Sequence, residues 1–252
     1  MTTTVHTTKT TTRKRLPMTF ERKTSLAAGV LYLITFISIP TLALYQAART
    51  PEYIVGAGPD TPVLLGGILE MIVALAAIGT AVALYPVLKR QNQSLAMGFV
   101  GIRVLEAATI FSGVVTLLSV VTLRQTSAGV GAMDTARGLI ALHDWTFTLG
   151  QGTLPAVNDL LLGTLLYKSG LVPRALSLIG IIGAPVVLAS VVAKYFGLYD
   201  ELSAWSLFGA VPVAVFEFSV GVYLVVKGFR RCRITADLTA AGAPTAARTV
   251  TA

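Results

Sequence analysis

Arg103 and Glu106 stand three residues apart in a run, residues 95 to 122, that is otherwise apolar enough to lie in lipid. On a helix that spacing puts a guanidinium and a carboxylate on one face, within reach of each other. Glu70, His143, Asp144, Gln151, Asn158, Asp159 and Glu217 also fall inside long hydrophobic runs. A charge at mid-depth of a bilayer costs roughly 2.5–3.5 kcal/mol on insertion scales, so such side chains face the interior of a bundle. There they serve as a packing clamp, a proton relay or a ligand site.

The charge balance selects among chemistries. Five carboxylates, Glu70, Glu106, Asp144, Asp159 and Glu217, face one fixed cation, Arg103. Desolvation and mutual repulsion oppose the ionisation of all five, so the interior must take up protons or hold a cation. Counted from the ends of the runs, Glu106 and Glu217 fall near the midplane, Glu70 in the outer half, and Arg103 about one turn nearer the cytoplasm. The spacing predicts an Arg103–Glu106 pair with Glu70 or Glu217 as third partner.

Residues 139 to 167 carry a polar stripe, because Asp144, Gln151 and Asn158 recur every seven residues and stay within about 20° of one another from one to the next. Thr148 and Asp159 lie to one side. Pro155 cannot donate to the carbonyl of Gln151, and Gly150 and Gly152 precede it, so a kink or break is expected there. His143 and Asp144 have two readings: acid and base in a site, or groups at the outer water interface, with Trp145 as a belt aromatic. Both stay open.

These residues require helices to hold them. The chain has 252 residues, 54% of them hydrophobic and 13% charged, with a mean hydropathy of +0.74, where roughly 25% charged is usual for soluble domains. Six runs reach the roughly 20 residues that cross a bilayer, near 26–46, 63–88, 95–122, 139–167, 175–198 and 205–226. Long runs without alternation are helical in lipid. The expected fold is all-α, a polytopic bundle of six transmembrane helices spanning residues 25–230, between a basic, Thr-rich tail (1–24) and an Ala/Thr-rich tail (231–252), both expected to be disordered. The first run exceeds the 7 to 15 apolar residues of a signal core and is read as a retained span.

Fifteen of the twenty basic residues lie in the tails and even-numbered loops and three in the opposite loops, which places both termini in the cytoplasm. The net charge of +8 arises from short basic clusters at span ends without aromatic interleaving, so no nucleic-acid partner is expected. The single cysteine, Cys232, forms neither an internal disulfide nor a cysteine-based metal site. The spans hold one histidine, His143, and no His-Glu-x-x-His motif, nucleophile elbow, Walker loop or dinucleotide fingerprint, so no metal and no cofactor is expected. Lys194 reads as a snorkelling side chain and "VGAGPD" as a turn.

The stretches "YIVGAGPDTPVLLGGILEMI", "ALYPVLKRQNQSLAMGFVGIRVLEA", "ALHDWTF", "LLLGTLLYKSGLVPR" and "FEFSVGVYLVVKGF" together resemble the bacterial membrane proteins grouped as domain of unknown function 4386. The resemblance covers roughly residues 20 to 230. It implies a multi-pass protein of the bacterial inner (cell) membrane and brings no activity, substrate or cofactor. It also implies that the position of Asp159 is often uncharged, which ranks that residue below the other candidates.

Three functions fit the sequence. The first is a proton- or cation-linked small-molecule permease or transport component; six spans without a visible inverted repeat are few for one, which points to a homodimer. The second is a membrane sensor or accessory protein with a purely structural polar cluster. The third is an intramembrane enzyme acting on a lipid or quinone headgroup through His143 and Asp144. A cavity running from Asp144 to Glu217 favours transport, a sealed cluster favours scaffolding, and a pocket open to lipid at His143 favours catalysis.

Overall fold

Proline and capping residues set the helix boundaries. In the computed structural model, residues 18–56, 58–126, 130–199 and 203–236 are described. Thr19 accepts a hydrogen bond from the Arg22 N–H at 3.3 Å and caps α1, Phe20–Thr35. Residues 20 to 24, expected in the tail, are therefore the first turn of a helix. The expected unbroken span 26–46 is divided. α1 stops at Thr35, and α2, Ser38–Leu44, restarts with Pro40 in its first turn, because Pro40 has no N–H to give the carbonyl of Phe36. A 3-10 turn, Tyr45–Arg49, and a short α3, Pro51–Val55, follow.

α4, Thr61–Leu88, and α5, Gln93–Thr126, form a long antiparallel pair, with the Asn92 side chain accepting from the Leu95 N–H at 2.9 Å at the start of α5. α6, Val130–Phe147, and α7, Leu154–Ser169, are joined by a π-turn, Thr148–Thr153. The break falls where Pro155 removes a donor: the turn ahead widens, and the N–H of Leu154 reaches back five residues to Leu149. Gly170, at φ 69°, ends α7 in the left-handed conformation that glycine favours. α8, Arg174–Tyr195, and α9, Ala204–Val226, complete the bundle. The Arg22 guanidinium donates to the carbonyls of Leu224, at 2.9 Å, and Val225, so α1 closes the C-terminal end of α9.

Close helix crossings depend on small residues. A Cβ at Gly29 would lie 2.7 Å from the Gly221 carbonyl, one at Gly180 2.8 Å from the Phe216 ring, and one at Gly183 2.6 Å from Pro212. These contacts bring α1 onto α9 and α9 onto α8, while α2 leans on α4 instead. Along α5, Phe99 packs with Tyr32, Leu84 and Phe216 at one end, and Leu117 and Val121 pack with Tyr45 and Tyr53 at the other. Arg103 and Glu106 lie between these two apolar layers.

Among the described residues the chain is all-α. Five segments are long and apolar enough to cross a bilayer: Phe20–Arg49, Thr61–Leu88, Gln93–Thr126, Arg174–Tyr195 and Ala204–Val226. The expected crossing at 139–167 is split between α6, which carries Asp134, Arg137 and Asp144, and the 16-residue α7, so neither half meets both conditions alone. Beyond α9, Arg230 N–H bonds the Leu171 carbonyl at 2.8 Å, and Ile234 and Thr235 are buried, so residues 231–236 pack against the bundle. The remainder of both expected tails, residues 1–17 and 237–252, lies outside the described residues.

Candidate functional site

The site begins with one guanidinium. Arg103, on α5, is 1% exposed and donates to both oxygens of Glu106 at 3.0 and 3.1 Å. Its other terminal nitrogen donates to Oε1 of Glu217 on α9 and to the Tyr32 hydroxyl on α1, the latter at 3.1 Å. The rings of Tyr32 and Phe99 also lie under its charge, 5.1 and 5.8 Å from the guanidinium carbon. Asn158, on α7, donates to Oε2 of Glu106 at 2.6 Å. Four helices therefore meet at one cation, and Glu217 is the third partner of the Arg103–Glu106 pair.

Asp159, the weaker candidate, lies deeper than the others suggested. It is fully buried within electrostatic reach of Arg103, Glu106 and Glu217, and neither of its oxygens takes a hydrogen bond among the described residues. The cluster holds three acids for one guanidinium. A buried excess of this kind requires a proton or a further cation.

Glu70 belongs to a second group. Its Oε1 accepts from Gln151 at 3.0 Å and from Thr41 at 3.4 Å, and it does not bond Arg103. On the same helix Gly66, Ala74, Ala77 and Ala81 form a stripe of small residues that faces inward: the three alanines are buried, and the Tyr45 ring rests on Gly66.

Asp144 points elsewhere. Two parallel hydrogen bonds join its carboxylate to Arg49, one of them 2.7 Å long, and both side chains keep about a third of their surface. Of the two readings of Asp144, its exposure beside Arg49 favours the one at the edge of the bundle, and it does not join the interior acids. Its register changes because the π-turn interrupts the sevenfold spacing, and because the break at Pro40 carries Arg49 to it. His143 is 3% exposed, within 3.2 Å of Asp144 through Nδ1, and packed between the rings of Tyr45 and Phe147.

A cavity of about 230 Å³ opens beside the cluster. Glu106 and Glu217 line it beside Arg103, Phe147, Gln151 and Lys194 line it at the π-turn, and Ser206 lines it from the start of α9. Ile39 on α2 and Leu207 on α9 also line it and are 61% and 58% exposed, so its wall reaches the surface of the chain. Neither His143 nor Asp144 lines it. Lys194, read from the sequence as a snorkelling residue, is part of its wall.

A family model described as Domain of unknown function (DUF4386) matches residues 27–228, from α1 to just beyond α9. The chain belongs to the DUF4386 family. No match is found among curated proteins or solved structures. With its apolar helices, the DUF4386 chain is an integral membrane protein.

The DUF4386 fold also contains an ion-pair lock that the sequence did not single out. Asp60, just before α4, accepts from Arg124 at 2.9 Å, from Tyr53 at 2.8 Å and from Gln125 at 2.9 Å. Arg124 stacks on the Tyr53 ring, 4.7 Å from its centroid, and donates to the Gly56 carbonyl. Partial burial works to raise the Asp60 carboxyl, but the hydrogen bonds from Gln125, Tyr53 and Arg124 and the guanidinium charge outweigh it and hold the group below the usual carboxylate range. Burial, with Asp60 beside it, pushes the Tyr53 phenol up to about 12. Tyr32 and Thr41 were also missed; each is a polar group inside an apolar run, the signal by which Glu70 was found. Among the described residues, no group of three or more His, Cys, Asp or Glu is placed to hold a metal ion.

Proposed function

We propose that this DUF4386 protein is a transport component for small molecules, coupled to a proton or a cation at Arg103, Glu106 and Glu217. The observation that carries the reading is the cavity, which reaches two acids bound to a buried arginine. A proton on Glu217 weakens its pair with Arg103, and that pair ties α9 to α5 on one side of the cavity. Occupancy of the cavity and protonation of the cluster are thereby linked through one contact. The helix break at Thr148–Thr153 supports the reading, since interrupted helices beside a midplane site are a feature of transporters.

The same reading takes α6, the π-turn and α7 together as a sixth crossing, with both termini in the cytoplasm of a bacterial inner membrane and a homodimer as the working assembly. The basic residues favour this orientation, and Arg49, Arg124 and Arg137, assigned to the outer side, each pair with an aspartate. A second reading has its own observation: Arg103 is held by three side chains from three helices and hardly exposed, as in a packing clamp.

The test uses purified protein in phosphatidylethanolamine–phosphatidylglycerol vesicles with an entrapped pH dye, challenged with panels of amino acids, amines and sugars. Solute-dependent proton flux in the wild type and its loss in Glu217→Gln support transport. Absence of any such flux in the wild type, or equal flux in Glu217→Gln, leaves the clamp as the better account.

A further inference from the structure

We propose that the cavity binds a protonated amine with a small apolar body, its ammonium against Glu217 and its apolar part against Phe147, Ile110, Val187 and Val191. This rests on the transport reading for its physiological role and names the substrate class of that site; the binding itself stands on the geometry alone.

The polar atoms of the cavity decide the sign of the ligand. Glu217 gives Oε1 to Arg103, and no hydrogen bond to Oε2 is found among the described residues, although the side chain lines the cavity and keeps 10% of its surface. Gln151 gives one amide N–H to Glu70, which leaves its second N–H as a donor and its carbonyl oxygen as an acceptor. Thr35, also in the wall, gives its hydroxyl hydrogen to the Tyr32 carbonyl at 2.7 Å. Glu217 Oε2 is therefore an open acceptor at the deep end, while the donors of the wall, Lys194 and the second amide N–H of Gln151, lie by the π-turn. The nearby excess of acids over the single guanidinium favours a cation and opposes an anion.

Shape and access fix the rest. The volume, about 230 Å³, is below the roughly 300–1,000 Å³ of drug-sized sites and suits a ligand of about ten non-hydrogen atoms. Ser206 and Glu217, both on α9 and both in the wall, are about 16 Å apart along the helix at 1.5 Å per residue. Lys194 stands by the π-turn, its Nζ 3.9 Å from where a Cβ at Gly152 would lie, so an ammonium is favoured only at Glu217. The exposed part of the wall at Ile39 and Leu207 is apolar, which suits a ligand that partitions into the bilayer before it enters.

The test is thermal stabilisation and titration of the detergent-purified full chain with phenethylamine, 2-phenylethanol and phenylacetate, which share a ring and differ in the charge of the head. Phenethylamine is expected to raise the melting temperature while the alcohol and the acid do not. Its affinity should fall by roughly tenfold or more in Glu217→Gln, the loss of a hydrogen bond to a charged group. Ala214→Phe, which fills the cavity one turn from Glu217 and keeps the Arg103 pair, should abolish the response. Equal stabilisation by the alcohol, preference for the acid, or a full response in Ala214→Phe overturns the proposal. Amine binding without amine-linked proton flux supports this site and counts against transport. Glu217-dependent flux of another solute without amine binding does the reverse.

Discussion

Arg103 on α5 donates to Glu217 on α9, 114 residues further along the chain, and this contact joins the two sides of the bundle between which the cavity lies. It belongs to a branched set of polar contacts that also takes in Tyr32, Glu106 and Asn158. Each partner is buried, so removal of Arg103 leaves the acids without their cation.

Arg103→Ala should therefore be costly. Breaking a buried pair costs about 3–5 kcal/mol, and at about 2–4 °C per kcal/mol the melting temperature in detergent should fall by roughly 10 °C. Replacing Arg103, Glu106, Asp159 and Glu217 together by Met, Leu, Leu and Leu should recover part of the loss, because no charge is then stranded. An unchanged melting point in Arg103→Ala rejects the clamp.

The Asp60–Arg124 lock predicts a pH dependence. A carboxyl held below its ordinary range stabilises the fold above the unfolded value, about 4, and this contribution is lost as pH falls through the folded value. Asp60→Asn should melt below the wild type at pH 7, and the gap should narrow as pH falls under about 4. A gap that stays constant or widens on acidification contradicts the assignment.

Two glycines should respond in opposite directions. A side chain at Gly29 meets the backbone of α9, so Gly29→Val should cost about 1–3 kcal/mol or more through overpacking. Gly101 has nothing within 4 Å of a new Cβ, and Gly101→Ala should gain about 0.5–1 kcal/mol by stiffening α5. Chemical or thermal denaturation of the two variants in one detergent checks both signs.

The all-helical, membrane-spanning character was legible in the sequence because long apolar runs have few other ways to satisfy their backbones, whereas the count of crossings was not, since five of the described segments qualify. The Arg103–Glu106 pair follows from local spacing, and the broken segment near Gln151 follows from Pro155. Contacts between distant segments were not legible. Asp144 finds Arg49, 95 residues away, only because α2 departs from α1 at Pro40. Gln151 turns to Glu70 because the π-turn breaks the sevenfold register that put it in line with Asp144. Lys194 joins the cavity wall because α8 lies beside that turn, a fact of packing rather than of pattern.

Orientation can be read through the native cysteine. Cys232 is free and partly exposed just after α9, and Thr126 is exposed at the opposite end of α5. In right-side-out membrane vesicles an impermeant maleimide should leave Cys232 unlabelled until the vesicles are opened, and should label Thr126→Cys in a Cys232→Ala background at once. The reverse pattern inverts the proposed topology.

The most direct test of the account asks whether a small cation reaches the acids beside Arg103. Ala214 lines the cavity one turn from Glu217, whereas Ala77 is fully buried and does not. In a Cys232→Ala background, Ala214→Cys should react with 2-aminoethyl methanethiosulfonate, phenethylamine should slow that reaction, and Ala77→Cys should stay unmodified. If Ala214→Cys is as inert as Ala77→Cys, the cluster is sealed and the central claim fails.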